Sequence, residues 1–243
     1  MRRLIGTVGA LAVVAFPAGA SGPASSATTP TCFGHPATIV GTAGDDRLVG
    51  QDGVSDVIVG LGGNDGIRGE ADGNWDGAAP DFLCGGPGDD SIGGSYGDDH
   101  INGGDGNDRV KGWDGDDVEQ GNAGNDRVGT GSFDGSDSSD DITRGGPGKD
   151  YLIAGWGHDR LYGGPGADQL LDTECDATLM SGNGGDDYLE SWWSSYIGMT
   201  CGSVNNGQAD KIVGGYGDDT AKANHIDSVR AVEHVTRVTE VPF

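Results

Sequence analysis

Residues 85–129 read GGPGDDSIG GSYGDDHIN GGDGNDRVK GWDGDDVEQ GNAGNDRVG, which is five consecutive nonamers without interruption. Each nonamer has Gly at its fourth position and Asp at its sixth, and four of the five have Ile or Val at the eighth. A period this regular predicts a solenoid, in which every repeat is one structural unit that stacks on its neighbours. The repeat therefore decides the architecture of the chain.

The same pattern extends over most of the sequence. Twelve windows have Gly at position four and Asp at position six, and they begin at residues 41, 60, 85, 94, 103, 112, 121, 145, 154, 163, 182 and 214. Position eight is Leu, Ile or Val in ten of them, with Glu119 and Ala221 as the exceptions. The glycine-rich positions one to six are typical of a turn. Positions seven to nine alternate polar, apolar, polar, which predicts a short strand with one buried face.

The composition is that of an acidic chain. Gly accounts for 49 of 243 residues, and 39 Asp and Glu against 14 Lys and Arg give a formal net charge of −25. Low hydrophobicity with high net charge keeps a chain unfolded unless something neutralises it. Because the acids recur in phase with the repeat, a bound cation explains them better than a solvated surface or a disordered tail. Nucleic acid is disfavoured as a partner, because a polyanion would be repelled.

Windows 85–93 and 103–111 are near-perfect copies of GGxGxDxUx, where U is a large aliphatic residue. This pattern resembles the RTX (haemolysin-type) calcium-binding repeat, and the resemblance covers roughly residues 41–222. It implies an all-β fold, a right-handed parallel β-roll with two nonamers per turn. It also implies that several calcium ions (Ca2+) bind between stacked turns, held by backbone carbonyls and by the Asp at position six. The residues that match this position are Asp46, Asp65, Asp90, Asp99, Asp108, Asp117, Asp126, Asp150, Asp159, Asp168, Asp187 and Asp219.

Position five of the turn is often Asp or Asn, but three consecutive windows depart from this. They carry Lys149, His158 and Ala167. If position five tunes the affinity for calcium, the sites around residues 149–168 should be weaker than the others.

The irregularities of the repeat predict two unlike edges. If two nonamers form one turn of the roll, alternate windows lie at opposite edges. The windows at 41, 60, 85, 103, 121, 145, 163, 182 and 214 are all intact, and we call their side the regular edge. The lengthened repeats all lie between them, on the side we call the insertion edge: 50–59, 69–84, 130–144, 172–181 and 191–213. We expect the insertion edge to have fewer complete loops, with carboxylates from Asp56, Asp81, Asp99, Asp117, Asp140, Asp159 and Asp210.

The remaining segments predict export and capping. Residues 1–27 are expected to be a signal peptide, because Arg2 and Arg3 precede an apolar stretch that small residues follow. No later apolar run could span a bilayer, so we expect the mature protein to be secreted and extracellular. Residues 28–40 and 223–243 should cap the two ends of the roll, since an open solenoid end is a bare sheet edge.

Four cysteines fit an oxidising compartment and two disulfides, of which the sequence permits three pairings. Cys175 and Cys201 belong to successive repeats of the insertion edge, so we favour their pairing. That leaves Cys32 with Cys84, which would tie the N-terminal cap to the first long insertion.

We expect no enzymatic activity, because the chain has neither an HExxH zinc motif nor a GxSxG nucleophile motif. The alternative function is an adhesive module, rigidified by calcium, that binds a cell-surface glycan or a protein through its insertion loops. Trp75, Trp192 and Trp193 lie in those insertions and would serve as contacts. The competing interpretation is that these aromatic side chains pack against the roll.

Overall fold

The computed structural model describes residues 28–70, 79–129, 139–172, 177–191, 211–223 and 228–237, and every regular element within these ranges is a β-strand. A short antiparallel hairpin, β1 (Thr31–Cys32) and β2 (His35–Pro36), precedes twenty strands that alternate along the chain between two ten-stranded parallel sheets. The predicted parallel β-roll is therefore confirmed. Since the described ranges hold no helix, they hold none long and apolar enough to cross a membrane.

The strands follow the sequence repeat. The first sheet contains, in spatial order, β3 (Ile39–Val40), β5 (Val57–Val59), β7 (Phe82–Pro87), β9 (His100–Asp105), β11 (Val118–Ala123), β13 (Ile142–Arg144), β15 (Arg160–Pro165), β17 (Leu179–Gly184), β19 (Lys211–Tyr216) and β21 (Ser228–Arg230). The second sheet contains β4 (Arg47–Val49), β6 (Gly66–Arg68), β8 (Ser91–Tyr96), β10 (Arg109–Asp114), β12 (Arg127–Gly129), β14 (Tyr151–Ala154), β16 (Gln169–Asp172), β18 (Tyr188–Ser191), β20 (Thr220–Ala223) and β22 (His234–Arg237).

The register places equivalent positions of the nonamers side by side. In the second sheet Val110 pairs with Ile92 on one side and with Val128 on the other. These are the position-eight residues of alternate nonamers, so one turn of the roll consumes two nonamers. Stacking in this way buries a single aliphatic residue per strand, which no nonamer could bury alone.

The core is one continuous cluster between the two sheets, formed mainly by position-eight side chains. It runs from Ile58 and Ile67 to Ile212 and Ala221, and its members are at most 3 % exposed. Glu119 interrupts it and is fully buried. Oε1 of Glu119 accepts a 2.5 Å hydrogen bond from the amide of Gly112, and Oε2 accepts a 2.7 Å bond from the hydroxyl of Thr143. The core therefore accommodates this acid by hydrogen bonding it, which follows the rule for buried polar groups.

The long connections all leave the second sheet and enter the first. Residues 69–81 join β6 to β7, residues 130–141 join β12 to β13, and residues 192–210 join β18 to β19. The turns in the opposite direction, such as residues 60–65 between β5 and β6, stay short. The predicted division into a regular edge and an insertion edge is therefore confirmed.

The N-terminal hairpin lies on the outer face of the first sheet. Cys32 is buried with Val57 and Val59, and it forms a disulfide with Cys84, which confirms that predicted pairing. The signal peptide at residues 1–27, the pair Cys175 and Cys201, and Trp75, Trp192 and Trp193 lie outside the described residues.

The C-terminal segment continues both sheets. Strand β21 adds to the first sheet beside β19, and β22 adds to the second sheet beside β20. Val229 and Val232 pack against the end of the core. Residues 228–237 therefore add one last, glycine-free turn to the end of the roll, and the capping role of residues 223–243 stays a prediction.

Candidate metal-binding turns

The carboxylates of the regular edge form one continuous hydrogen-bonded ladder. The amide of each position-six Asp donates to Oδ1 of the position-six Asp one turn later, at donor–acceptor distances between 2.7 and 3.0 Å. The ladder runs through Asp46, Asp65, Asp90, Asp108, Asp126, Asp150, Asp168, Asp187 and Asp219. The expected stacking in register is therefore present along the whole edge.

The insertion edge carries a second ladder of the same kind. It runs through Asp56, Asp81, Asp99, Asp117, Asp141 and Asp159, with distances between 2.7 and 2.9 Å. The carboxylates of this edge therefore stack in register on either side of both long insertions. Residues 71–78 and 130–138 lie outside the described residues, so the expectation of fewer complete loops stays a prediction. Asp210 lies outside the described residues.

Asp141, and not Asp140, is the ladder residue after the second long insertion. The amide of Asp117 donates to Oδ1 of Asp141 at 2.8 Å, and Asp141 is fully buried. Asp140 is exposed and takes the position-five place, where it accepts a 2.8 Å hydrogen bond from the amide of His158. The inserted residues obscure the phase of the repeat, so the prediction of Asp140 for this edge is wrong by one residue. The pairing of Ile142 with Val118 fixes the phase.

All twelve predicted carboxylates lie on these two ladders, and eleven of them are at most 2 % exposed. Asp46, at the open N-terminal end, is half-buried. In ten of the twelve, Oδ2 is buried and has no hydrogen-bond partner: Asp65, Asp90, Asp99, Asp108, Asp117, Asp126, Asp150, Asp168, Asp187 and Asp219. A buried carboxylate oxygen without a partner costs free energy. Such a row of oxygens is accounted for if each one faces a cation.

Oxygens of two kinds converge beside the first glycine of a turn. A Cβ atom added to Gly103 would collide with Oδ2 of Asp108 and would lie 2.8 Å from the carbonyl oxygen of Gly121 in the next turn. The same two kinds of oxygen converge beside Gly85, from Asp90 and from the carbonyl of Gly103. Carboxylate and carbonyl oxygens are the ligands that calcium prefers. The residues present therefore fit calcium.

Burial raises the pKa of these carboxylates above that of an exposed Asp. Desolvation is the main cause that raises the pKa of the ladder residues, and neighbouring carboxylates raise the pKa further. The pKa rises to about 6 for Asp90 and Asp187, to about 7 for Asp81, Asp108, Asp150 and Asp168, to about 8 for Asp99 and Asp159, and to about 11 for Asp117. The amide of the preceding ladder residue opposes this rise, since its hydrogen bond favours the ionised form. Burial therefore makes ionisation of the ladder carboxylates more costly than that of an exposed Asp, most of all at Asp99, Asp159 and Asp117 on the insertion edge.

Position five adds an outer row of oxygens at the regular edge. The amide of Asn107 donates to Oδ1 of Asp89 at 2.7 Å, and the amide of Asn125 donates to Oδ1 of Asn107 at 3.0 Å. The row ends at Lys149, whose amide donates to Asn125 but whose side chain offers no acceptor. On the insertion edge the row passes through Asp98, Asp116 and Asp140, and His158 follows. Two of the three departures noted in the sequence, Lys149 and His158, therefore directly follow a physical row of acceptors.

Side chains alone do not complete a metal site here. Within the described ranges, no group of three or more His, Cys, Asp or Glu side chains converges as metal ligands do. The reason is geometric, because each turn contributes one buried carboxylate and successive turns are separated by the spacing of a parallel sheet, about 4.8 Å. A cation between two turns must take its remaining ligands from the backbone.

One ladder member lies outside the nonamer pattern. The amide of Asp219 donates a 2.9 Å hydrogen bond to Oε2 of Glu233, which stands where the next position-six Asp would be. The amide of His234 donates to the carbonyl of Asp219 at 3.0 Å. The position-seven amides of the nonamers make the same bond to the position-six carbonyl one turn earlier, for example Arg109 to Asp90. Glu233 is the last residue of a three-residue turn without glycine, so the nonamer pattern could not identify it. Only its place directly before a β-branched strand could have suggested the role.

Comparison with protein families agrees with this geometry. The family model of the RTX calcium-binding nonapeptide repeat, in four copies, matches residues 37–67, 84–119, 93–128, 134–170 and 205–224. These segments together cover more than half of the chain. Comparisons with curated proteins and with solved structures found no match. With its stacked glycine turns and two ladders of buried carboxylates, the chain belongs to the family of RTX calcium-binding nonapeptide repeat proteins.

Proposed function

We propose that the protein is an extracellular calcium-binding solenoid whose roll folds when calcium is bound between its turns. The family and the β-roll imply calcium binding and a structural role. The observation that carries the proposal is the row of buried, unpartnered Oδ2 oxygens. The export and the extracellular location are supported by the sequence of residues 1–27 and by the Cys32–Cys84 disulfide, which is typical of oxidising compartments.

The ladder residues explain why folding should depend on the cation. Neighbouring carboxylates about 4.8 Å apart repel each other by roughly 3.5 kcal/mol if ionised, at an effective dielectric constant of 20. A core of one aliphatic residue per strand does little to offset this cost. Bound calcium supplies the positive charge that makes the ionised ladder stable, and its binding free energy becomes folding free energy.

The position-six carboxylates and the carbonyls of the position-one glycines would hold the ions, at both edges. A site with a dissociation constant one hundredth of the ambient calcium concentration stabilises the fold by about 2.7 kcal/mol. Several such sites in one stack would make folding steep in calcium concentration.

Far-UV circular dichroism with a calcium titration tests the proposal. We expect strand content to be low with excess chelator and to rise cooperatively with calcium, while calorimetry counts the ions bound. The same strand content with chelator as with millimolar calcium would contradict it. Because the disulfide can preserve local structure, the N-terminal hairpin is a poor reporter, and the total strand signal is the quantity to follow.

The adhesive alternative depends on Trp75, Trp192 and Trp193, which lie outside the described residues. No observation on the described turns favours it over the structural role.

A further inference from the structure

Glu70 is a buried acid that lies outside the nonamer pattern. It directly follows Gly69 at the start of the connection between β6 and β7, so it occupies position two of its turn. In every other described nonamer this position holds an uncharged residue. Glu70 is nevertheless only 3 % exposed, and acids are almost never buried to this degree without a partner. Its burial therefore requires an explanation that the repeat does not supply.

One carboxylate oxygen of Glu70 takes the place of a backbone carbonyl. The amide of Gly53, at position four of the preceding turn, donates to Oε1 of Glu70 at 3.4 Å. In other turns the position-four amide donates to the position-three carbonyl one turn later, for example Gly88 to Asp105 at 2.7 Å. The side chain of Glu70 therefore reaches from its own turn toward the turn formed by residues 50–56.

The other oxygen of Glu70 has no partner. Oε2 is buried and accepts no hydrogen bond. Among the described residues, no Lys, Arg or His forms an ion pair with Glu70. Protonation would not satisfy Oε2, because the O–H group would then be a buried donor without an acceptor. A cation beside Oε2 would satisfy it.

A second carboxylate oxygen without a partner lies nearby. Oδ2 of Asp81, the ladder residue of the same turn, is also buried without a hydrogen bond. Desolvation is the main cause that raises the pKa of Asp81 to about 7, and the negative charge of Glu70 adds to the rise. The two carboxylates are therefore close enough to interact. Ionised carboxylates at such range repel each other, and a cation that both contact would remove the repulsion.

Backbone oxygens complete the surroundings of Asp81. A Cβ atom added to Gly69 would collide with Oδ2 of Asp81 and with the carbonyl oxygen of Gly94 in the next turn. Because Glu70 follows Gly69 directly, its carboxylate can reach an ion held there. Calcium takes about six to eight oxygen ligands, and the number of charged ligands tunes its affinity. A turn with two buried carboxylates should therefore bind calcium more tightly than a turn with one.

We infer that Glu70 and Asp81 jointly hold one calcium ion, and that this ion is the most tightly bound in the roll. The inference rests on the proposed function, since it assigns an additional ligand and an order of binding to the calcium-binding turns. The ion lies next to strand β7, in which Cys84 forms the disulfide with Cys32. Calcium would therefore bind first close to the covalent cross-link, where the chain has the least conformational freedom to lose.

Calorimetric titration of the full, disulfide-bonded chain with calcium chloride tests the inference. Glu70→Gln keeps an oxygen that can accept the hydrogen bond from Gly53, but it replaces Oε2 with an NH2 group that cannot bind a cation. We expect this variant to weaken the tightest calcium-binding phase about tenfold and to leave the weaker phases unchanged. Lanthanum, a hard trivalent cation, should displace calcium from the tightest site more readily in the native chain than in Glu70→Gln, because the extra carboxylate favours the higher charge.

Glu119→Gln is the matched control. Glu119 is fully buried, but each of its oxygens already accepts a hydrogen bond, one from Gly112 and one from Thr143. The variant removes a buried carboxyl group in the same way and should change the tightest phase by less than about twofold. The double variant Glu70→Gln/Asp81→Asn should bind as many ions as Asp81→Asn alone, since the two carboxylates hold one ion.

Failure of the inference can be distinguished from failure of the proposed function. A native chain that binds no calcium contradicts both. If the native chain binds calcium and folds, three results would overturn the inference alone. They are an unchanged tightest phase in Glu70→Gln, an equal weakening in Glu119→Gln, and additive loss of ions in the double variant.

Far-UV dichroism in saturating calcium shows whether each variant forms the roll. Should Glu70→Gln fail to form it, Glu70→Asp takes its place, because it keeps the charge on a shorter side chain. We expect Glu70→Asp to weaken the tightest phase about threefold, and an unchanged phase in that variant also overturns the inference.

Discussion

The amide of Asp108 donates a 2.8 Å hydrogen bond to Oδ1 of Asp126, the equivalent residue one turn later, while Oδ2 of Asp126 is buried without a partner. One oxygen of the carboxylate therefore sets the register of the roll, and the other is left for a cation. This division allows the two roles to be tested separately.

Replacement of Asp126 by Asn separates them. The amide oxygen of Asn can still accept the hydrogen bond from Asp108, but its NH2 group cannot bind a cation. We expect Asp126→Asn to bind fewer calcium ions and to lose about 2.7 kcal/mol of calcium-dependent stability per lost site at a hundredfold excess. Calorimetry and urea unfolding in calcium measure both. Asp105→Asn is the control, since Asp105 is an exposed acid outside the ladders; an equal loss there would argue against a specific site.

Stability without calcium should fall as the pH rises. Burial raises the pKa of Asp108 and Asp150 from 3.8 to about 7, so the folded state holds protons that the unfolded state releases. Stability from these groups is fully present below pH 3.8 and is lost between there and about pH 7 to 8. Thermal unfolding in chelator should give a higher Tm at pH 4 than at pH 8. With calcium present the order should reverse, because calcium binding releases the same protons. A chelated protein that is most stable at pH 8 would contradict this.

The interruption at Lys149 should weaken calcium binding in the middle of the regular edge. Its side chain places a positive charge where Asn107 and Asn125 offer oxygens. Lys149→Asn should lower the calcium concentration for half-maximal folding by about fivefold, which corresponds to about 1 kcal/mol for an exposed charge. Lys211→Asn removes an equal charge from the outer face of a strand and should leave the midpoint within experimental error. Equal shifts would show that only net charge matters.

The fourth position of the turn should tolerate glycine alone. Gly124 has φ +148°, and an added Cβ atom would overlap the carbonyl oxygen of Gly106 one turn earlier. Gly124→Ala should therefore cost about 3 kcal/mol or more in calcium-saturated unfolding. Gly184, at position three of another turn, has open space around the added atom, and Gly184→Ala should change stability by about 0.5 kcal/mol or less. Similar costs at the two positions would refute this distinction.

Glu233 should hold the C-terminal end of the roll closed. Glu233→Ala leaves the amide of Asp219 without its acceptor, whereas Glu233→Gln keeps one. We expect amides of residues 211–223 to exchange hydrogen faster in the alanine variant and at the native rate in the glutamine variant. If both variants exchange alike, the hydrogen bond has no capping role.

The fold and the positions of most candidate ligands could be predicted because each nonamer determines its own local structure through residues that are close in sequence. A nonamer with Gly at position four and Asp at position six specifies its own turn, and the single aliphatic residue specifies which face is buried, as Val110 between Ile92 and Val128 shows. The alternation of edges followed from counting residues. These features need no knowledge of distant contacts.

The remaining features depend on contacts that the period does not encode. The sequence does not show which residue after the second long insertion takes position six. The pairing of Ile142 with Val118 identifies it as Asp141. Glu233 joins the ladder from a turn that has none of the repeat's glycines. Glu119 breaks the apolar pattern, and its burial is supported by a hydroxyl 24 residues away on Thr143.

The placement of every long connection at one edge also affects how such a chain can change during evolution. Residues 69–81 and 130–141 add length without shifting the carboxylate ladder that passes through Asp81 and Asp141. A lineage can therefore insert or delete segments there while the opposite edge keeps its constant repeat. Variation in length is confined to one edge and enters before the ladder residue, so new sequence can be added there while the register of both ladders is kept.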